Sequence, residues 1–208
     1  NTYEDGASNR EFFTRHGLDR IDWIRPFKPD ESKGQYWSDL EETGYDGIVT
    51  DSWRVSTENI ADPDYRTTRY TIHTPDGELT MLVQSNEHTS WVRENLVKEK
   101  EDIDIIAKHV PHYICDIDMV RRHAEAIGDE GIVRSVIPTF DIYGQPGCWQ
   151  DAAVLIGVEK LILSTFDDPD WIRSLLQTLY ERKMSYVRSM EGAPLDLVEH
   201  GGGDASTT

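Results

Sequence analysis

Residues 117–140 read IDMVRRHAEAIGDEGIVRSVIPTF, and the fold turns on this stretch. Met119, Val120, Ala124 and Ile127 recur at helical spacing until Gly128 stops them. Ile132–Pro138 follows as an apolar, β-rich run. A helix that leads at once into a short buried strand is half of a βαβ unit.

The same rhythm continues toward the C-terminus. Asp151–Leu163 is apolar on much of its circumference and predicts a well-buried helix. Pro169–Glu191 predicts the clearest helix, with Asp167 or Asp168 as cap and Pro169 in the first turn. Trp171, Ile172, Leu175, Leu176, Leu179, Val187 and Met190 share its broad apolar face, and Gly192 ends it. Leu195–Glu199 is a short strand that runs into His200-Gly201-Gly202-Gly203-Asp204. Before the opening stretch, Glu101–His109 predicts a helix that stops short of Pro111.

Toward the N-terminus the elements are shorter. Residues 3–17 predict a small helix. In Asp19–Phe27, Ile21 and Trp23 alternate around Asp22, which predicts a strand that Pro26 stops. Tyr36–Thr43 predicts a helical turn closed by Gly44, and Asp46–Asp51 a short buried strand. Tyr70–Ile72 and Leu79–Gln84 flank Pro75-Asp76-Gly77, a hairpin signal that predicts a β-excursion over 70–84. Strand, loop, helix, strand is the order of an α/β protein with a parallel sheet. No repeat, low-complexity tract or charged linker divides the sequence, so residues 1–208 read as a single domain.

Charge narrows the function classes. Aspartate and glutamate number 39 against 21 lysines and arginines, a formal net charge of -18. Such a surface repels phosphate backbones and anionic lipid. No window is apolar for long enough to span a bilayer, and no signal-peptide pattern opens the sequence. Cys115 and Cys148 are too few and too far apart for a disulfide framework, so a reducing cytoplasm is expected.

In a βα barrel the reacting groups stand at the C-terminal ends of strands. Three such ends are expected here. The first carries Asp51, Trp53 and Arg54. The second runs from Pro138 through Asp141 to Trp149. The third is Glu199-His200-Gly201-Gly202-Gly203-Asp204. Three glycines let a backbone turn tightly against a ligand, with Glu199, His200 and Asp204 as titratable groups around the turn. The plain alternative is a surface loop with an ordinary histidine.

His109, His112 and Cys115 fall three residues apart, but Pro111 breaks any helix that would align them. Zinc needs about four ligands in a tetrahedron, so metal binding is not expected there. Arg54, Arg66 and Arg69 could grip a carboxylate or phosphate, or pair with surface acids. No nucleotide-binding glycine loop and no Gly-x-Ser-x-Gly elbow occur.

The order of segments over residues 131–208 resembles the uroporphyrinogen decarboxylase superfamily. The resemblance rests on Gly144-Gln145-Pro146-Gly147-Cys148-Trp149, Gly157, Asp167-Asp168-Pro169-Asp170, Leu195–His200 and Gly203–Thr207. The hairpin Thr74–Leu79 and the helix start Lys100–Ile103 also look like that family. It implies a (β/α)8 TIM barrel, incomplete in this chain, because a typical barrel needs ~250 residues. A half barrel would leave an open edge, so a longer native protein or a homodimer is expected.

Two chemistries occur in that superfamily. The porphyrinogen decarboxylases carry an Arg-Gln-Ala-Gly-Arg loop after the first strand, where this chain has Arg25-Pro26-Phe27-Lys28-Pro29. Their tyrosine position is occupied by Val154 or Ala152, depending on the alignment. Zinc-dependent methyl transfer between a corrinoid protein and a thiol or similar acceptor fits better. Its zinc ligands would lie beyond Thr208, with none in this segment. The resemblance then implies Glu199, His200, Asp204 and Asp51 as catalytic or orienting groups. Trp53, Arg54, Asp141, Trp149, Gly201 and Gly202 would line the substrate pocket. Uroporphyrinogen decarboxylation is the alternative expectation, and a non-catalytic barrel subunit that binds a partner is the second.

Overall fold

The structure is a computed structural model that describes residues 8–140, 142–144 and 147–200. Helix α1 (Asn9–Arg15) comes first, capped reciprocally by Ser8 and Glu11. Strand β1 (Arg20–Trp23) follows, then a run of short pieces: β2 (Phe27–Lys28), β3 (Tyr36–Trp37), α2 (Leu40–Thr43) and β4 (Ile48–Val49). Four longer strands come next: β5 (Arg54–Ile60), β6 (Arg66–Thr74), β7 (Gly77–Ser85) and β8 (Ser90–Glu94). Helix α3 (Asp102–His109), β9 (Ile114–Cys115), α4 (Ile117–Ile127) and β10 (Gly131–Val136) lead into α5 (Cys148–Ile156), α6 (Val158–Asp167), α7 (Pro169–Ser189) and β11 (Leu197–Glu199).

The expected (β/α)8 barrel is not what these residues form. They make a mixed α/β arrangement: a four-stranded antiparallel sheet in the order β5-β6-β7-β8, a parallel sheet in the order β1-β10-β11, and two small ladders, β2-β9 and β3-β4. The hairpin expected near 70–84 is real, but it is the centre of a larger meander. Segment 46–51 fails as a barrel strand. Its Ile48–Val49 pairs antiparallel with Trp37 and Tyr36, residues that the sequence placed in a helical turn. A short apolar run looks the same in either setting, and the strand it pairs with decides.

Two hydrophobic clusters hold these pieces. The first packs the antiparallel sheet through Val55, Ile72, Leu79 and Met81 against Ile103 and Ile106 of α3, Leu155 of α5 and Leu161 of α6. The second packs Ile24 and Val133 of the parallel sheet under Val120 and Ile127 of α4 and Tyr186 of α7. Each fully buried Leu, Ile or Val contributes roughly 1.5–3 kcal/mol.

Helix α7 serves both clusters. Trp171, Ile172, Leu175 and Leu179 belong to the first, and Tyr186 to the second. Asp168 caps it by accepting from the Trp171 N–H at 3.2 Å, and Pro169 occupies its first turn. The helix expected over 151–163 is two helices. Gly157, at φ +89°, breaks α5 from α6.

Strands β1, β10 and β11 run in sequence order, and α4 and α7 both cover one face of that sheet. Right-handed crossovers between neighbouring parallel strands produce this one-sided layering. The opposite face carries Ile21, Trp23, Arg134, Leu197 and Glu199. Ile21, Trp23 and Leu197 are exposed there. Among the described residues, no helix is long and apolar enough to cross a membrane.

Candidate functional site at the carboxyl edge of the parallel sheet

Three chain segments remote in sequence deliver their C-terminal ends to one edge. Beyond β1, the Ile24 N–H still bonds the Arg134 carbonyl at 2.9 Å. Beyond β10, the Ile137 N–H bonds the Glu199 carbonyl at 3.1 Å. In α/β sheets, ligands bind outside such carboxyl ends.

The open face at this edge is polar and aromatic. Trp23 is 48% exposed, and the Arg25 guanidinium stands 4.8 Å from its ring centroid. Arg134 of β10 forms an ion pair with Glu199 of β11, one strand over. Both side chains are partly exposed, so the pair adds little stability and serves mainly to fix the Glu199 carboxylate. The Arg134 Nε is buried and has no hydrogen-bond partner among the described residues.

Glu199 and His200 do not act on one surface. Successive residues of a strand point to opposite faces. Glu199 lies on the open face with Arg134, whereas His200 lines a cleft of about 500 Å³ on the α7 side, with Ile137, Val187, Arg188 and Val198.

The loop that leaves β10 is clamped from below. Lys183 of α7 donates to the Pro138 carbonyl at 3.0 Å, and Arg182 to the Thr139 carbonyl at 3.1 Å. The Phe140 N–H donates to the Asp151 carboxylate at 3.3 Å. Tyr143 Oη donates to the Ser90 carbonyl at 2.6 Å, tying the loop to β8. A Cβ at Gly144 would fall 2.3 Å from the Phe140 nitrogen, so only glycine lets the loop close on itself.

Other expected site residues lie elsewhere. Trp53 is fully buried in the first cluster, away from solvent and from the carboxyl edge. Asp51 sits in an exposed turn bracketed by the Thr50–Trp53 bridge. Arg54 points outward from β5 into a small cleft of about 220 Å³ with Tyr36, Asp39 and Glu42. These three do not stand at the end of a parallel strand, because the segment joins the antiparallel meander. Trp149 lies in the first turn of α5, at the surface. Asp141, Gly201, Gly202 and Asp204 lie outside the described residues.

No protein-family model, curated protein or solved structure matches this chain.

The zinc implied by the resemblance finds no seat among the described residues. No three His, Cys, Asp or Glu side chains gather there. His109 is bonded to Asp76 at 2.7 Å. Cys115 is buried, which pushes its thiol up and leaves it a poor thiolate. Cys148 opens α5.

Sequence reasoning missed Trp23, Arg25 and Arg134 as members of this edge. The signal for Trp23 was present: Ile21 and Trp23 put large apolar groups on the face opposite Asp22 and Ile24. Arg134 gave no signal, because its role depends on β11 arriving as its neighbour.

Proposed function

We propose that the carboxyl edge of the parallel sheet is a catalytic face, and that the protein transfers a methyl group between a corrinoid protein and a thiol or similar acceptor. The observation that carries the catalytic face is the Arg134–Glu199 pair beside the Trp23–Arg25 stack, at the ends of three adjacent parallel strands. The order of motifs over residues 131–208 supports the choice of chemistry. The proposal needs this edge, not a closed barrel.

In that transfer the thiol would react as its thiolate, its proton passing to solvent. A carbon–sulfur bond would form as the carbon–cobalt bond of the methyl donor breaks, the electron pair of that bond staying with the leaving cobalt. Glu199, steadied by Arg134, orients the acceptor. Trp23 and Arg25 offer a flat cationic wall to a planar or carboxylate-bearing group. The decarboxylase reading gains no support at this edge. An eight-carboxylate substrate needs a concentrated set of cations, whereas Arg134 is engaged by Glu199 and Arg25 answers one carboxylate at most. Cys115 and Cys148, too few and too far apart for a disulfide framework, support a reducing, cytoplasmic setting.

The test supplies methylcobalamin and 3-mercaptopropionate and follows loss of the methyl-cobalt spectrum together with thioether formation. Glu199→Gln should slow the transfer by about tenfold or more through lost orientation. Acceptor binding should also quench tryptophan fluorescence, and Trp23→Phe should remove that quenching. Absence of thioether together with absence of Trp23-dependent quenching would sink the proposal. Metal-free turnover of uroporphyrinogen would replace it.

A further inference from the structure

Helix α6 turns an apolar stripe outward. Leu161 is its buried anchor, while Val158, Ile162, Leu163 and Phe166 are exposed, Phe166 by 81%. Val158, Ile162 and Phe166 follow one another at four-residue steps, a ridge about 12 Å long. At its start Val158 borders a cleft of about 470 Å³ lined by Trp91, Val92, Tyr143 and Val154. Ridge and cleft meet at Val158, and an exposed apolar patch of this kind marks a docking site.

The rim of this surface carries a definite sign. Glu159 and Asp167 are exposed and have no ion-pair partner among the described residues. The nearby cations are already committed. Lys160 donates to the Lys98 carbonyl at 2.8 Å and lies 5.5 Å from the Trp171 ring centroid. Lys98 pairs with Glu94 at 2.9 Å, and Lys100 pairs with Asp168. The surface therefore meets a partner as an apolar ridge with unanswered negative charge, on a chain of net charge -18.

We infer that α6 and the adjoining cleft dock a basic amphipathic helix of a partner protein. Apolar residues of that helix would cover Ile162, Leu163 and Phe166, and its lysines or arginines would answer Glu159 and Asp167. A second copy of this chain is a poorer fit, because antiparallel pairing of two α6 helices brings Glu159 and Asp167 toward their own kind. An anionic bilayer is repelled for the same reason. Tyr143 of this cleft stands on the loop that leaves β10, but the α6 ridge lies on another element, and docking there does not depend on methyl transfer.

The test titrates the whole chain with a fluorescent Leu/Lys helical peptide of about 18 residues, long enough to form a helix. A Leu/Glu peptide of the same pattern and phosphatidylcholine/phosphatidylglycerol vesicles are run beside it. The Leu/Lys peptide should bind. Phe166→Ser combined with Ile162→Ser should weaken it about tenfold or more. Glu159→Gln with Asp167→Asn should weaken it and flatten its salt dependence, and Leu40→Ser, at an exposed site in α2, should leave it unchanged. Phe166 is exposed, so its loss should leave the melting temperature unmoved. Unchanged binding by the Phe166/Ile162 variant would overturn the inference. Equal binding of the Leu/Glu peptide or of vesicles would do the same. So would a concentration-dependent dimer that Phe166→Ser dissolves.

Discussion

Lys183 Nζ lies 2.8 Å from the Asp151 carboxylate, and the two side chains are only 5% and 1% exposed. The pair joins α7 to α5 beneath the loop that leaves β10. Lys183 also holds the Pro138 carbonyl, and Asp151 holds the Phe140 N–H. A buried charge without its partner is far worse than no charge at all. Asp151→Asn should therefore lose about 3–5 kcal/mol of stability. The double change Asp151→Leu with Lys183→Met should lose clearly less than the two single changes added together. Urea denaturation of the four proteins measures the coupling, and simple additivity would show that the two do not act as a unit.

Trp53 belongs to the core. Trp53→Ala should cost about 3–5 kcal/mol, the range for emptying a large aromatic site. Asp51→Asn, two residues away in an exposed turn, should stay within about 0.5 kcal/mol. Thermal unfolding separates the two. Equal, small effects would return Trp53 to the list of pocket residues.

Gly131 opens β10 opposite Arg20. A Cβ there would lie 1.9 Å from the Arg20 carbonyl oxygen, a backbone atom that cannot rotate away. Gly131→Ala should push β1 off β10 and lose about 1–3 kcal/mol. Amide exchange should quicken first at Asp22 and Ile24. Unchanged protection in β1 would show that the strands can shift to make room.

His112 should make the protein acid-sensitive. Burial, followed by the positive charges of Arg182 and Lys33, holds its imidazole down at about 4, against an ordinary 6.5. As pH falls through 6.5, the unfolded chain takes up this proton and the native one does not. The native state therefore loses stability down to about pH 4. Between pH 7 and pH 5 the loss from this one group should be about 2 kcal/mol. His112→Gln should remove that share of the slope in denaturation curves taken across the range. An identical slope in wild type and variant would exclude the assignment.

Several elements were legible because their signals are local. Asp168, Pro169 and the apolar face through Leu179 announce α7 within its own residues. Thr74-Pro75-Asp76-Gly77 announces the β6–β7 hairpin in the same way. Gly157 was harder. An isolated glycine inside an apolar stretch can be tolerated in a helix, and only the approach of Asn95, which donates to the Val154 carbonyl at 2.7 Å, shows why the chain breaks there.

The candidate site was only partly legible. Glu199 could be placed at a strand end from Leu195–Glu199 alone. Its partner could not, because Arg134 reaches it through the pairing of β10 with β11. Asp51, Trp53 and Arg54 read as one cluster in the chain. Tertiary packing sends Trp53 into the core and Arg54 outward, onto a sheet with no part in that edge.

Taken by itself, the sequence determined where most helices and strands lie, the acidic character of the surface and the hairpin at residue 77. Each depends on neighbours a few positions apart, or on charge that needs no fold to be counted. Tertiary structure alone decided that the longer strands form an antiparallel meander and that β1, β10 and β11 stand side by side. It also decided that Trp23, Arg134 and Glu199 share one open face. The pairing of β1 with β10 joins residues more than a hundred positions apart, and even in the meander a short apolar run carries no mark of the partner it will find.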